Sequence, residues 1–200
     1  MLSDTRPHIS PIHRMAQLAH ELLGCRIAAG DYVMDATMGN GHDTLFLWKK
    51  VEPGGKVVAF DIQPKAIAST KNLLKSNGWN ENSPCVELVL DSHCQFAHYI
   101  ERPLKAVMFN LGYLPGADRH ISTSWTEVKN VMEQLVNTYL EVGGYISIIS
   151  YSGHDEGQTE QQQLLEFVRK LPSKYWSVLE ISRSNADISA PKLILIERKE

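Results

Sequence analysis

The sequence predicts an α/β protein with a seven-stranded, mostly parallel sheet, an antiparallel C-terminal strand and helices on both faces. Short apolar runs alternate with segments of helical periodicity as far as residue 151. A glycine-rich turn follows the first run, and an acidic residue closes each of the first three runs. Two runs near the end of the sequence alternate in polarity, as the strands of a hairpin do.

Length and composition limit the class of protein. A chain of 200 residues fits one domain, residues 1–200, in which residues 1–30 form an N-terminal helical extension. The formal net charge of −3 gives no overall attraction to nucleic acid, and it leaves an RNA substrate open. No apolar run reaches the roughly 18 residues of a membrane span, and the N-terminus lacks the apolar segment of a signal peptide. We therefore expect no membrane partner.

The cysteines and the N-terminal histidines predict neither disulfides nor a metal site. Cys25, Cys85 and Cys94 lack C-x-x-C spacing, so we expect reduced, buried thiols in a cytoplasmic protein. His13 and His20 do not have the i, i+4 spacing of a helical metal pair. We therefore interpret these histidines as surface or capping residues.

Turn formers and apolar spacing define the elements of the first half. Ser10-Pro11 is typical of a helix start, and Gly24 of a helix end. Pro53-Gly54-Gly55 predicts a turn, and Pro64 suits the first residue of a helix. The expected helices cover residues 8–24, 45–50, 64–77 and 95–100, and the expected strands cover residues 33–35, 56–61, 86–93 and 104–110.

In the second half of the sequence, predicted helices and strands continue to alternate. Thr123 or Ser124 is expected to cap a helix whose buried stripe extends to Leu140. Gly143-Gly144 is expected to form the turn into a fully apolar strand. The polar connection before the last strand is a candidate substrate loop, in which we select Asn185. The remaining expected elements are a helix over residues 159–171 and strands over residues 145–151, 175–182 and 192–197.

The central motif is the stretch from Asp35 to Thr44. Its glycines permit positive φ and a close approach of a ligand, and the helix that follows presents unpaired N–H groups. Such a turn suits NAD, FAD or S-adenosylmethionine. Asp35 would repel a pyrophosphate but attract the cationic amino-acid end of S-adenosylmethionine, and Thr44 stands where a dinucleotide motif has Gly or Ala. We therefore favour S-adenosylmethionine, with contacts from Asp35, Thr37, Gly39, Asn40, Gly41, His42, Asp43 and Thr44.

Two further strands end in an acidic residue, at what a parallel topology makes the same edge. Asp61 is expected to accept hydrogen bonds from ribose hydroxyls, with Gln63 beside it. This indicates a nucleoside without naming it, and capping of the next helix is the alternative. Asp91 is expected to bind the adenine amino group, with Ser92 and His93 lining the ring.

The fourth strand brings Asn110 to the same edge, beside the donor. The segment from Asn110 to Tyr113 resembles the N-P-P-Y loop of amino-group methyltransferases, with Leu111-Gly112 in place of the two prolines. The resemblance implies that the Asn side chain and the next carbonyl accept hydrogen bonds from the attacking amine, while Tyr113 stacks on the base. After the fifth strand, Tyr151 is expected to position the amine and His154 to take its proton.

Together these motifs, with Gly153-His154-x-x-Gly157, resemble the bacterial "putative rRNA methylase" family of Rossmann-like class I methyltransferases. The resemblance covers about residues 8–198. It implies S-adenosylmethionine as cofactor and methyl transfer to the primary amine of 5-aminomethyl-2-thiouridine at the tRNA wobble position. The substrate follows from the resemblance, since spacing and charge do not specify it.

The resemblance also implies a tRNA anticodon stem-loop as partner. No separate RNA-binding domain is evident, so either this domain or a homodimer would hold the loop, with Arg6, Arg14, Arg119 and Arg183 as candidate contacts. Three alternatives remain: methylation of rRNA or a small amine, an NAD-dependent oxidoreductase, and a non-catalytic nucleotide-binding module. The expected substrate contacts are Leu111, Gly112, Arg119, His120 and Asn185.

Overall fold

The computed structural model describes residues 15–111, 125–151, 155–187 and 190–200, and its strands form one seven-stranded sheet. The strand order is β3-β2-β1-β4-β5-β7-β6. Strands β1 to β5 are parallel, and β7 runs antiparallel to both β5 and β6. The predicted fold class is therefore confirmed. The strands are β1 Tyr32–Asp35, β2 Lys56–Asp61, β3 Val86–Leu90, β4 Leu104–Leu111, β5 Leu140–Ser150, β6 Trp176–Ile181 and β7 Lys192–Arg198.

Helices cover both faces of the sheet because successive strand residues point to opposite faces. In β2, Val57 and Ala59 pack in one buried cluster, and Val58 and Phe60 pack in the other. The first cluster includes side chains of α1, α2 and α3, and the second includes side chains of α4 and α5. The helices are α1 Met15–Gly24, α2 His42–Val51, α3 Pro64–Ser76, α4 Trp125–Gln134 and α5 Asp155–Arg169, with a 3₁₀ helix at His93–His98 and a π-helical turn at Leu135–Tyr139.

The order of the strands places a crevice at one edge of the sheet. Chain order reverses between β1, which continues toward β2 and β3, and its other neighbour β4. At such a reversal the connections that follow the two neighbouring strands go to opposite faces of the sheet. The carboxyl ends of β1 and β4 therefore border an open crevice. The described parts of the connection between β6 and β7, residues 182–187 and 190–191, lie at the same edge, since Ser150 at the end of β5 pairs with Lys192 at the start of β7.

The structure corrects several predicted boundaries. Leu140 begins β5 and does not end a helix, because it pairs with Leu104 of β4. Gly143-Gly144 is part of β5, where a register shift interrupts the pairing, and does not form a turn before the strand. The 3₁₀ helix starts at His93, where Ser92 caps it by accepting a hydrogen bond from the Cys94 N–H at 3.2 Å. The predicted helix over residues 8–24 is described only from Met15 onward.

The cysteines differ from the prediction in burial. All three are free thiols, but Cys25 is exposed and Cys85 and Cys94 are half-buried. The expectation of buried thiols was therefore wrong for Cys25.

No helix within the described ranges is both long enough and apolar enough to cross a bilayer.

Candidate active site

The turn between β1 and α2 is held tightly against the neighbouring elements. Gly39 and Gly41 have φ of 52° and 83°, the left-handed region that glycine tolerates. A Cβ atom on Gly41 would stand 2.9 Å from the Thr70 Cα, so no larger residue fits there. The Gly39 N–H donates to Asp61 Oδ2 at 2.9 Å. The turn is thereby tied to α3 and β2, while Asn40 and His42 on either side of Gly41 are exposed.

Asp35 lies beneath this turn and is fully buried. Its Oδ2 accepts a hydrogen bond from Thr44 Oγ1 at 2.6 Å, and its Oδ1 accepts one from the Thr37 N–H at 3.1 Å. Burial raises the pKa of Asp35 to about 7, and the Asp43 carboxylate adds to the rise. The observed contacts of Asp35 thus stabilise the turn. Its expected contact with the ligand's cationic group stays a prediction.

Asp61 stands at the carboxyl end of β2 and bonds to backbone on both sides. Besides Gly39, it accepts a hydrogen bond from the Gln63 N–H at 2.9 Å through Oδ1. Gln63 is the N-cap of α3, with Pro64 at the first helical position. Gln63, and not Asp61, therefore occupies the N-cap position, although its side chain makes no capping hydrogen bond. Each Asp61 oxygen carries one described hydrogen bond, and a second lone pair on each is available for a hydroxyl.

The three residues after β3 differ in burial and in hydrogen bonding; they are Asp91, Ser92 and His93. Asp91 accepts hydrogen bonds from the Tyr99 hydroxyl at 2.9 Å and from the Ser92 N–H at 2.7 Å. His93 is buried and packs edge-to-face on Phe109, with ring centroids 5.9 Å apart. Burial lowers the pKa of His93, which favours its neutral form. Each expected contact with adenine stays a prediction.

A hydrogen-bonded chain connects α1, α2 and β4. Asp43, buried in the first turn of α2, has its Oδ1 2.5 Å from His20 Nε2 of α1. The second oxygen, Oδ2, accepts a short hydrogen bond from Asn110 Nδ2. The Asn110 N–H donates to Thr37 Oγ1 at 2.7 Å. Asn110 Oδ1 is buried and has no hydrogen-bond partner among the described residues.

The end of β5 forms the other wall of this region. The Tyr151 N–H donates to the Leu111 carbonyl at 3.1 Å, so the carbonyl that we expected to face the amine already has one partner. Tyr151 has an exposed fraction of 45%. Burial of its hydroxyl and the charge of Asp43 raise its pKa, so the phenol stays protonated near neutral pH. A small cavity beside it is lined by Leu111, Trp125, Val128, Ser150, Tyr151, Glu160 and Leu164.

Several predicted site residues are not brought into this arrangement. Asn185 is exposed in the β6–β7 connection at the crevice edge, and no described contact links it to Asn110. Five others lie outside the described residues: Gly112, Tyr113, Arg119, His120 and His154.

Sequence reasoning missed residues of two kinds. His20 is read from the sequence as a surface or capping residue, and no spacing rule connects it with Asp43, 23 positions away. Ile62 and Leu90, at the carboxyl ends of β2 and β3, are 52% and 55% exposed although they are apolar. The signal for Ile62 is its place directly after a strand-ending acid, where an apolar residue has no core to enter.

The strand order, the glycine turn and the strand-ending acids define a Rossmann-like class I methyltransferase fold. Comparison with known proteins agrees. A family model described as "Putative rRNA methylase" matches residues 57–197. The chain is 33% identical over 194 residues to an Arabidopsis thaliana protein named tRNA (mnm(5)s(2)U34)-methyltransferase, chloroplastic, across 94% of this chain and 70% of the relative.

Solved structures give the same result. A protein described as a putative rRNA-methylase from Clostridium thermocellum has a TM-score of 0.85 and 37% identity, over 92% of this chain and 97% of that one. A protein described as a putative methyltransferase from Streptococcus mutans, in complex with SAH, has a TM-score of 0.82 and 32% identity, over 92% and 98%. The chain belongs to the "Putative rRNA methylase" family and is an S-adenosylmethionine-dependent methyltransferase. The oxidoreductase and non-catalytic alternatives are therefore set aside.

Proposed function

We propose that this methyltransferase acts on the primary amine of 5-aminomethyl-2-thiouridine at the tRNA wobble position and forms 5-methylaminomethyl-2-thiouridine. The observation that supports an amine as the methylated group is Asn110 Oδ1, a buried oxygen without a described partner at the carboxyl end of β4. Buried acceptors are rarely left unpaired, so this oxygen is suited to an N–H donor from a substrate. The printed name of the Arabidopsis relative supports tRNA as the carrier of that amine.

In this proposal the donor lies over the turn between β1 and α2. The backbone from Thr37 to Gly41 would hold its amino-acid end, and Asp61, with Gln63 beside it, would accept hydrogen bonds from the ribose hydroxyls. The exposed side chains of Ile62 and Leu90 offer apolar surface for the adenine ring near Asp91. When bound, S-adenosylmethionine supplies a methyl group on a sulfonium sulfur.

The acceptor amine must be neutral, because only the free lone pair can attack a methyl group. A carboxylate directly against the amine would favour its ammonium form. Here the Asp43 carboxylate lies behind the Asn110 amide and bonds to the Asn110 Nδ2–H and to His20. The amine would therefore meet a neutral acceptor, Asn110 Oδ1, which aligns it without stabilising the ammonium form as strongly as a carboxylate would.

After transfer the amine nitrogen carries the methyl group and a positive charge, and it loses one proton. Tyr151 is partly exposed beside Leu111, and its protonated hydroxyl can orient the amine. We retain His154, outside the described residues, as the expected proton acceptor. The anticodon stem-loop would be held at the crevice edge, where Arg183 and Asn185 belong to the β6–β7 connection, either by one chain or by a homodimer.

A second candidate is methylation of an amine in ribosomal RNA, which the description of the family favours. The same Asn110 geometry serves an amine on either RNA, and the two candidates differ in which RNA receives the methyl group.

The test uses total tRNA from cells that lack this protein. Purified protein is incubated with that tRNA, and in a parallel reaction with ribosomal RNA from the same cells, in the presence of methyl-labelled S-adenosylmethionine, and the digested nucleosides are identified by mass. Label on 5-methylaminomethyl-2-thiouridine is the expected result. Label in ribosomal RNA alone, or in neither RNA although donor binding is seen by calorimetry, would overturn the tRNA assignment.

A further inference from the structure

His20 contacts the carboxylate of Asp43, which in turn accepts a hydrogen bond from the Asn110 side chain. Its Nε2 lies 2.5 Å from Asp43 Oδ1, and the His20 side chain is only 23% exposed. The imidazole also stacks on Phe46 of α2, with ring centroids 4.1 Å apart and an interplanar angle of 3°. The ring is therefore fixed in position by α2 itself, and its Nε2–H is aimed at one oxygen of Asp43.

The second oxygen of Asp43 determines which way the Asn110 amide points. A carboxylate can only accept hydrogen bonds, so only the Nδ2 side of the amide can face it. Asn110 Oδ1 is then turned away from Asp43, and it is the atom left without a described partner. An amide without this constraint could rotate by 180° and present N–H groups to the amine, which would orient the amine wrongly.

A carboxylate at this place is unfavourable without its two donors. Asp43 is 5% exposed, and its charge helps to raise the pKa of both Asp35 and Tyr151, so it lies close to these groups. Buried charges persist when hydrogen bonds compensate for lost water. Here the compensation comes from one group of α1 and one group of β4.

We infer that His20 is a positioning residue for methyl transfer: through Asp43 it fixes the Asn110 amide with Oδ1 toward the acceptor amine. The inference deepens the proposed function and rests on it for the identity of the amine. It gives α1 a part in the active site that goes beyond packing against the sheet. It also separates two roles within α2, since Gly41 at its start shapes the donor site while Asp43 serves the acceptor site.

The first test needs no substrate. In ¹⁵N-labelled protein, the side-chain amide signals of Asn110, assigned with Asn110→Ala, should shift strongly in His20→Phe, which retains an aromatic ring on Phe46 but removes the donor. His20→Gln, whose amide N–H can replace Nε2–H, should restore them. The matched control is His98→Phe, at an exposed histidine outside the chain of hydrogen bonds. Unchanged Asn110 signals in His20→Phe would overturn the inference.

The second test measures turnover with the tRNA assay. His20→Phe should lower kcat about tenfold, as expected for a lost hydrogen bond to a charged group, with donor affinity within about twofold. His20→Gln should recover most of kcat. Asp43→Asn should lower kcat by at least as much, and adding His20→Phe to it should have little further effect. Independent, additive losses, or a loss matched by equally weaker donor binding, would assign His20 to packing alone.

The two tests separate this inference from the proposed function. If the native protein methylates no tRNA, the proposed substrate is wrong, and the Asn110 signals alone decide whether His20 positions the amide. If the native protein is active and His20→Phe has native kcat, the substrate stands and the role of His20 is wrong.

Discussion

The two halves of the crevice differ in how fully their polar groups are paired. In the half formed by β1, β2 and β3, the carboxylates of Asp35 and Asp61 each accept two hydrogen bonds, from the turn after β1 and from the starts of α2 and α3. In the half formed by β4 and β5, Asn110 Oδ1 is buried without a described partner. The two carboxylates of the first half are therefore held in place before any ligand binds, although His93 Nε2 after β3 has no described partner, whereas the site oxygen of the second half lacks a donor.

This difference fits two ligands of different kinds. A diffusible cofactor that every turnover requires is served by a rigid turn, because a site that is already ordered loses less entropy on binding. The proposed substrate amine has to be aligned only when it reacts, so one directional hydrogen-bond acceptor without a partner of its own is sufficient. Changes in the first half should then act on affinity and stability, and changes in the second half on turnover.

Asn110→Ala should produce the largest effect and separate the two halves most clearly. We expect kcat to fall by at least about 100-fold, because the buried acceptor for the amine is lost, while donor binding is retained. Asn72→Ala, at an exposed asparagine of α3, is the matched control. Labelled methyl transfer and calorimetry measure the two quantities. Retained turnover would mean that Asn110 does not align the amine.

Asp35, in the first half of the crevice, should make the free energy of unfolding depend on pH. Its pKa is raised from 3.8 to about 7 in the folded chain, so the folded state binds the proton more strongly than the unfolded state. The free energy of unfolding should therefore decrease as pH rises from about 4 to about 7, by up to about 1.4 kcal/mol per pH unit from this group. Above that window the contribution should be constant.

Urea unfolding of the native chain and of Asp35→Asn, across pH 4 to 9, would measure this contribution as the difference between the two curves. Asparagine does not titrate, so the difference should change within the stated window. Parallel curves would show that folding does not raise the pKa of Asp35.

Asp61→Asn should weaken the binding of S-adenosylmethionine without abolishing it. An amide keeps one acceptor oxygen but loses the charge, so we expect about tenfold weaker donor binding by calorimetry. Asp31→Asn is the control, since Asp31 likewise accepts a backbone hydrogen bond, from the Ala28 N–H, but directly precedes the first residue of β1. If kcat falls at saturating donor while affinity is unchanged, the division between the halves is incorrect.

Asn185→Ala should give the smallest effect. Its exposed side chain belongs to the connection at the crevice edge, so it can contact only a ligand that extends out of the crevice. We expect the KM for tRNA to rise about two- to threefold with kcat unchanged, as for one exposed hydrogen bond. Asn82→Ala, in an exposed turn before β3, should change neither. A large fall in kcat would instead place Asn185 among the residues that align the amine, together with those of β4 and β5.

The sequence predicted what depends on local periodicity. Asp35 and Asp61 were placed at strand ends because a short apolar run precedes each of them, and both close their strands in the structure. Gly143-Gly144 was interpreted as a turn, but the pairing of Leu140 with Leu104 extends β5 through these glycines. That pairing joins distant residues, and no local pattern encodes it.

The same limit applies within the site. Asn110 was identified from its motif, but its link to Asp43 spans 67 positions and that of Asp43 to His20 spans 23. Such links depend on how α1 packs on α2. Likewise, the sequence places a carboxylate at residue 35 but does not reveal that Thr44 and Thr37 occupy both of its oxygens.

The reversed direction of β7 has a practical consequence for labelling. Because β7 is antiparallel to β5, it starts beside Ser150 at the crevice and places Glu197, its next-to-last residue, beside Tyr145, toward the opposite edge. The Lys199 N–H then donates to the Tyr175 carbonyl, just before β6 begins. A fluorophore or surface tether attached at Glu200 would therefore lie on the side of the sheet away from the reacting groups, and an immobilised chain would keep its crevice open to a large RNA.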